Sequence, residues 1–260
     1  MKNQINAVKR WVLRNKRASV SILALLILIG LPWAINSPAI IGASATTREL
    51  PIYCVDRDNK CVSLTFDAAW GNEDTEELIA VLGKYKVKAT FFVVGDWVDK
   101  YPESVKALSD AGHEIMSHSS DHAHFSKLNE DEIRKNLETC NKKIEGVTGK
   151  CPTLFRCPYG EYDDHVIKTV NSMGMTAIQW NIDSLDWKGL SASEITQRVT
   201  SSVVPGSIVL FHNAAEHTPE ALPGVIEALI ADGYKVIPVS EILLNGEYEI
   251  DHTGKQCRPQ

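Results

Sequence analysis

From residue 52 onward, short apolar runs alternate with segments whose apolar residues recur every three to four positions. The runs at 62–66, 89–94, 114–117, 153–157, 176–182, 207–212 and 235–239 are rich in β-branched and aromatic residues and predict strands. Segments 74–85, 102–111, 163–173, 193–202 and 219–231 carry helical spacing. Asn129 with Glu132, and Ser191 with Glu194, have the spacing of capping boxes. Thr218 followed by Pro219 reads as a cap with proline in the first helical position. About seven strand–helix units predict an α/β fold with a parallel sheet closed into a (β/α) barrel of about seven strands. An open doubly wound sheet is the alternative. The first strand leads into Ala68-Ala69-Trp70-Gly71, which offers no phosphate cradle, so no nucleotide cofactor is expected.

The first 45 residues follow another pattern. Lys2, Lys9, Arg10, Arg14, Lys16 and Arg17 precede an apolar run over 18–35, and no acidic residue appears before Glu49. The run is close to the ~18–20 residues that span a bilayer, and its basic flank should stay in the cytoplasm. The rest of the chain is then extracytoplasmic, with the membrane as a partner of this helix. Two readings stay open: an uncleaved signal-anchor, or a signal peptide cut after Ala43-Ser44-Ala45. A linker over 37–51 follows.

A formal net charge of -6 argues against a nucleic-acid partner. Six cysteines suit an oxidising compartment. Cys54 and Cys61 bracket a predicted hairpin turn that a disulfide would close, whereas Cys140 shares a helical face with Ile133, Leu137, Ile144 and Val147 and reads equally as core.

Polar residues cluster just past the strand ends. Asp67 follows the first strand, His118 and His122 the third, Arg156 ends the fourth, Asp183 and Asp186 follow the fifth, and His212 ends the sixth. A parallel barrel gathers all these ends on one face. His118 and His122 are spaced to project two imidazoles to one side, as a divalent metal requires. Each residue also has a plainer role available: Asp67 as a helix cap, Arg156 in a surface ion pair, Trp187 as core. Cys157 should point away from Arg156's side by alternation.

Five ordered blocks over 52–244 resemble the polysaccharide deacetylases with a NodB-like domain, carbohydrate esterase family 4. They are Thr65-Phe66-Asp67, His118-Ser119-Ser120-Asp121-His122, Arg156-Cys157-Pro158-Tyr159-Gly160, Asp183-Ser184-Leu185-Asp186-Trp187 and Leu210-Phe211-His212. The resemblance implies a distorted (β/α) barrel that removes N-acetyl groups from amino sugars of a cell-wall glycan, most readily peptidoglycan. It implies Asp67 as general base and His212 as general acid, with Arg156 holding the base and Asp186 orienting the acid. His118 and His122 would bind a divalent metal, with zinc first and cobalt or nickel as alternatives. Tyr159, Trp187, Leu210 and Asp183 would line the substrate groove. The implied organisation is a basic cytoplasmic segment 1–17, a hydrophobic targeting helix 18–36, the linker 37–51, a catalytic domain 52–245 and a C-terminal tail 246–260.

One position departs from the family. A second aspartate normally follows the base and supplies the third metal ligand; here it is Ala68, which cannot ligate. Residues 68–71 and 217–223 resemble the sporulation-associated branch of the family. The departure sets up the alternative reading, a catalytically weak or inactive wall-binding protein on the same fold.

Overall fold

The computed structural model describes residues 14, 15 and 48–259. Two compact units divide between Arg48 and Glu49, and the fold set out below is that of Glu49–Gln260. The targeting helix at 18–36 and the triplet ending at Ala45 lie outside the described residues. Among the described residues, no helix is long and apolar enough to cross a membrane.

The sheet is built around β2 (Cys61–Ala68), all eight residues of which are buried. Its side chains divide by alternation. Val62, Leu64, Phe66 and Ala68 join the larger apolar cluster, while Ser63 and Thr65 on the other face donate to the carbonyls of Ile237 and Val209. Phe66 stacks on Phe91 and Phe211 at centroid distances of 4.7 and 5.5 Å, so neighbouring strands share one aromatic layer. Burial of such a side chain is worth roughly 1.5–3 kcal/mol.

β2 pairs in parallel with β3 (Thr90–Val93), which pairs with β4 (Glu114–Ser117); β5 (Leu154–Phe155) and β6 (Thr176–Ala177) extend that side. On its other side β2 pairs with β8 (Ser207–His212), which also carries β7 (Ile182–Asp183), and β9 (Lys235–Val236) pairs with the start of β2. β1 (Cys54–Val55) runs antiparallel to β8. The C-terminal segment adds β10 (Glu249–Ile250) and β11 (Lys255–Cys257), and β11 pairs with β1. The result is a curled but open half-barrel, consistent with the expected distorted barrel, in which the full closure suggested by the strand count is not made among the described residues.

The opening has an identifiable origin. The single strand expected over 176–182 is divided into β6 and β7. After β6 the chain leaves β5, forms a parallel bridge from Ile178 to Ile52, and then joins β8 through Asn181 and Ile182. One bridge, in place of a ladder, spans the gap. The hairpin expected between Cys54 and Cys61 is absent as well, because β1 pairs with β8 and β11 and not with β2. All six cysteines are free thiols. Gly206 lets β1 pass: its φ is +84, and a Cβ there would lie 1.7 Å from the Val55 carbonyl oxygen.

Eight helices accompany the sheet among the described residues: α1 (Thr75–Lys84), α2 (Gly95–Lys100), α3 (Pro102–Asp110), α4 (Glu130–Thr148), α5 (Asp164–Ser172), α6 (Ala192–Thr200), α7 (Thr218–Ala231) and α8 (Val239–Ile242). Both expected capping boxes are formed, at α4 and α6. Ile133, Leu137, Cys140 and Ile144 are the buried stripe of α4. Cys140 is therefore core, and burial pushes its thiol up to about 11.

Candidate active site

Asp67 and His212, the expected base and acid, are neighbours by register. β2 and β8 run in parallel with Asp67 opposite His212 at their C-terminal ends. Arg156 follows β5, and its N–H donates to the Ser117 carbonyl at the end of β4. His118 comes next after β4, and its N–H donates to the Val93 carbonyl on β3. Strand pairing alone thus draws four of the predicted residues to one end of the sheet.

Asp67 is buried and held by charge. Arg156 Nη1 donates to Asp67 Oδ1 at 2.8 Å and to Thr65 Oγ1 at 2.8 Å, while Nη2 donates to the Gln179 carbonyl at 3.0 Å. The guanidinium is fully buried between Phe92, at 4.2 Å, and Trp180, at 5.5 Å. A buried Arg–carboxylate pair of this kind is the opposite of a solvated surface pair. Burial alone would push the Asp67 carboxyl up, but Arg156, His118 and His212 together hold it below the usual carboxylate range. Asp67 is not a helix cap: the N-cap position of α1 belongs to Asp74, whose carboxylate makes no capping bond and accepts the Ala214 N–H instead.

His212, the expected acid, has a fully partnered carboxylate behind it. Asp186 Oδ1 lies 2.8 Å from His212 Nδ1 and accepts the Trp187 N–H at 2.9 Å. Asp186 Oδ2 accepts the His212 N–H at 2.8 Å and the Thr218 hydroxyl at 2.7 Å. Burial works to lower the His212 pKa, but the Asp186 hydrogen bond and charge, with Asp67 and Asp183, raise it above its ordinary 6.5. With Nδ1 turned to Asp186, Nε2 is left for the cavity, as a proton donor requires.

The histidine pair is less complete. His118 Nδ1 donates to the Arg156 carbonyl at 2.8 Å, which leaves a lone pair on Nε2, 3.6 Å from Asp67 Oδ2. The His118 and His122 ring centroids are 5.0 Å apart. His122 Nδ1 is buried without a hydrogen-bond partner. Burial lowers both imidazole pKa values, His122's to about 4. Ala68, where a third ligand would stand, is a buried methyl group in the apolar cluster. Among the described residues, no group of three His, Cys, Asp or Glu side chains is placed to hold a metal ion. Two imidazole donors are present, but the residues do not fit a three-ligand catalytic centre.

These groups open into a cavity of about 720 Å³ that is also lined by Leu210, Asp183, Tyr159 and Trp187. Trp70, Tyr159 and Trp187 stand on its rim with 66%, 61% and 59% of their surface exposed, so Trp187 is not core. Tyr159 has a left-handed backbone, φ +60, and its ring lies 4.4 Å from both His122 and His124. Trp70 meets His122 edge-on at 5.6 Å. Cys157 turns away into a separate apolar cluster with Phe125 and Phe155, and burial raises its thiol pKa far above the usual range.

Sequence reasoning missed three contributors. Asn213 pins the loop that carries Trp70, accepting from the Ala69 N–H and donating to the Trp70 and Gly71 carbonyls. Trp180 covers Arg156. Thr218, expected as a helix cap, is the first residue of α7, and its hydroxyl serves Asp186 instead; the cap position belongs to His217. Asn213 directly follows His212, so position after a strand end was the available signal.

The polysaccharide deacetylase profile matches residues 55–178. The chain is 38% identical to the Bacillus anthracis protein BA3943, described as a CE4 family pseudoenzyme, over 74% of this chain and 68% of that one, with a TM-score of 0.71. The chain belongs to the polysaccharide deacetylase family. A mutant of BA3943, described as having restored enzymatic activity, superposes with a TM-score of 0.72 at 39% identity, over 74% of this chain and 70% of that one. The peptidoglycan-N-acetylglucosamine deacetylase of Bacillus cereus is 36% identical over 178 residues, which cover 68% of this chain and 62% of the relative. This chain therefore spans less than two thirds of the length of that deacetylase. The family is one of hydrolases that act on the C–N bonds of amino-sugar polysaccharides.

Proposed function

We propose that this chain is an extracytoplasmic cell-wall glycan-binding protein on the deacetylase fold, with hydrolytic activity weak or silent. Ala68 carries the proposal: the position of the third metal ligand holds a buried methyl group. The basic and apolar pattern of the first 45 residues supports a membrane-anchored location, and the resemblance over 68–71 and 217–223 supports a sporulation setting. The exposed aromatics on the rim offer flat faces to sugar rings. Peptidoglycan is the polymer favoured by the likeness to the Bacillus cereus peptidoglycan-N-acetylglucosamine deacetylase.

The proton-transfer half of an N-deacetylase is retained, and this favours a second reading, a slow metal-dependent peptidoglycan deacetylase. Asp67, kept ionised by Arg156, would take a proton from the attacking water. His212, kept protonated by Asp186, would deliver one to the leaving nitrogen. The developing oxyanion is the weak point. A backbone N–H near Tyr159 would be one donor, and a single missing oxyanion stabiliser costs about 10²–10³ in rate. In that reading His118 and His122 would be the protein ligands of zinc, cobalt or nickel, a bound metal would supply Lewis-acid chemistry, and Tyr159, Trp187, Leu210 and Asp183 would line the groove.

The test pairs co-sedimentation of the full-length chain on purified peptidoglycan with acetate release, with and without added zinc. Retention on the polymer with little or no acetate is the expected result. Rapid zinc-dependent release, abolished in Asp67→Asn, would move the assignment to the deacetylase reading.

A further inference from the structure

The cavity carries a charge imbalance. Its lining includes four carboxylates, Asp67, Asp183, Asp186 and Glu216, and no lysine or arginine. Arg156 lies behind the wall and is committed to Asp67 Oδ1, Thr65 and the Gln179 carbonyl. Asp186 is committed to His212, Thr218 and the Trp187 N–H. The remaining acceptors are Asp67 Oδ2, 3.6 Å from His118 Nε2, the Asp183 carboxylate, which accepts one N–H from Leu185, and the exposed Glu216, 4.0 Å from His217 Nε2.

Arg156 offsets the Asp67 charge and a protonated His212 offsets that of Asp186, which leaves Asp183 and Glu216 as the excess carboxylates of the cavity. A ligand that balances them must bring its own positive charge, and the rim aromatics Trp70, Tyr159 and Trp187 favour one with flat sugar faces. Resting on the glycan-binding reading above, we propose that the cavity prefers de-N-acetylated amino-sugar units, whose C2 ammonium groups pair with Asp183 and Glu216. An N-acetyl group in the same place is neutral, bulkier, and leaves the carboxylates without a partner. The chain would then read glycan that an active deacetylase has already processed.

Calorimetric titration of the full-length chain with a fully de-N-acetylated glucosamine tetramer and with the N-acetylglucosamine tetramer tests this. The free-amine tetramer is expected to bind at least about tenfold tighter, the equivalent of one charge-assisted hydrogen bond. Added salt should narrow the gap. Asp183→Asn and Glu216→Gln should each shrink it severalfold, while Glu138→Gln, at an exposed position of α4, should leave it unchanged. Equal or tighter binding of the N-acetylated tetramer, or a preference untouched by Asp183→Asn and Glu216→Gln, would overturn the inference and leave glycan binding standing. Failure of both tetramers to bind would overturn the glycan-binding reading with it.

Discussion

Two halves of one site differ in how completely they are built. At the acid half, both oxygens of Asp186 are bonded and His212 is fixed at side chain and backbone. At the histidine half, His122 Nδ1 is buried without a partner, and the neighbouring ligand position is a methyl group. A polar group buried without a partner costs about 1–3 kcal/mol, so the second half is kept at a cost that the first half avoids. Proton transfer is preorganised here, whereas charge stabilisation is not. On the proposed reading, that contrast is how a chain on this fold keeps the expected acid and base yet turns over poorly.

The largest effect should come from removing the buried cation that holds Asp67. Arg156→Leu leaves Asp67 buried and unpaired, and an uncompensated buried charge costs about 3–5 kcal/mol. Urea unfolding should show a loss of that size at neutral pH; a loss under about 1 kcal/mol would mean that Asp67 is not held by the pair.

Asp186→Asn sharpens the contrast without touching the histidine half. The His212 pKa is raised in the folded state, so the pair's stabilisation is complete below 6.5 and is lost as pH rises through the raised value. In the variant, burial acts unopposed by Asp186, and NMR titration of His212 should move to lower pH. Each unit of movement is worth about 1.4 kcal/mol. An unmoved titration would remove Asp186 as the orienting group.

Thr218→Val should have the smallest effect. It removes one of the four hydrogen bonds to Asp186 and should cost on the order of 1 kcal/mol, with a small downward movement of the His212 titration. A stability loss with no movement of that titration would make Thr218 merely structural.

Much of this contrast was legible from residue order alone. Strand ends preceding Asp67, His118, Arg156 and His212 follow directly from the apolar runs, because parallel pairing needs only their direction. Both capping boxes are local and formed as expected. Long-range choices were not legible. The partner exchange at Ile178 that opens the barrel depends on Ile52, far away in sequence. The pairing of β1 with β8 and β11 replaced a hairpin that local spacing favoured. Thr218 looks like a cap in sequence because Thr before Pro usually is one; the position of Asp186 in space overrides that preference.

Acetate release from purified peptidoglycan in the presence of zinc, comparing the unaltered chain with Ala68→Asp, tests the central claim most directly. Ala68 ends β2 opposite Val93 on β3, whose carbonyl accepts the His118 N–H, so only β3 separates position 68 from the strand that leads into the histidine pair. The expected result is a zinc-dependent gain of about 10²–10³ in rate for Ala68→Asp over a nearly silent parent. Equal zinc-dependent rates from the two proteins would contradict the claim that the missing carboxylate limits this site.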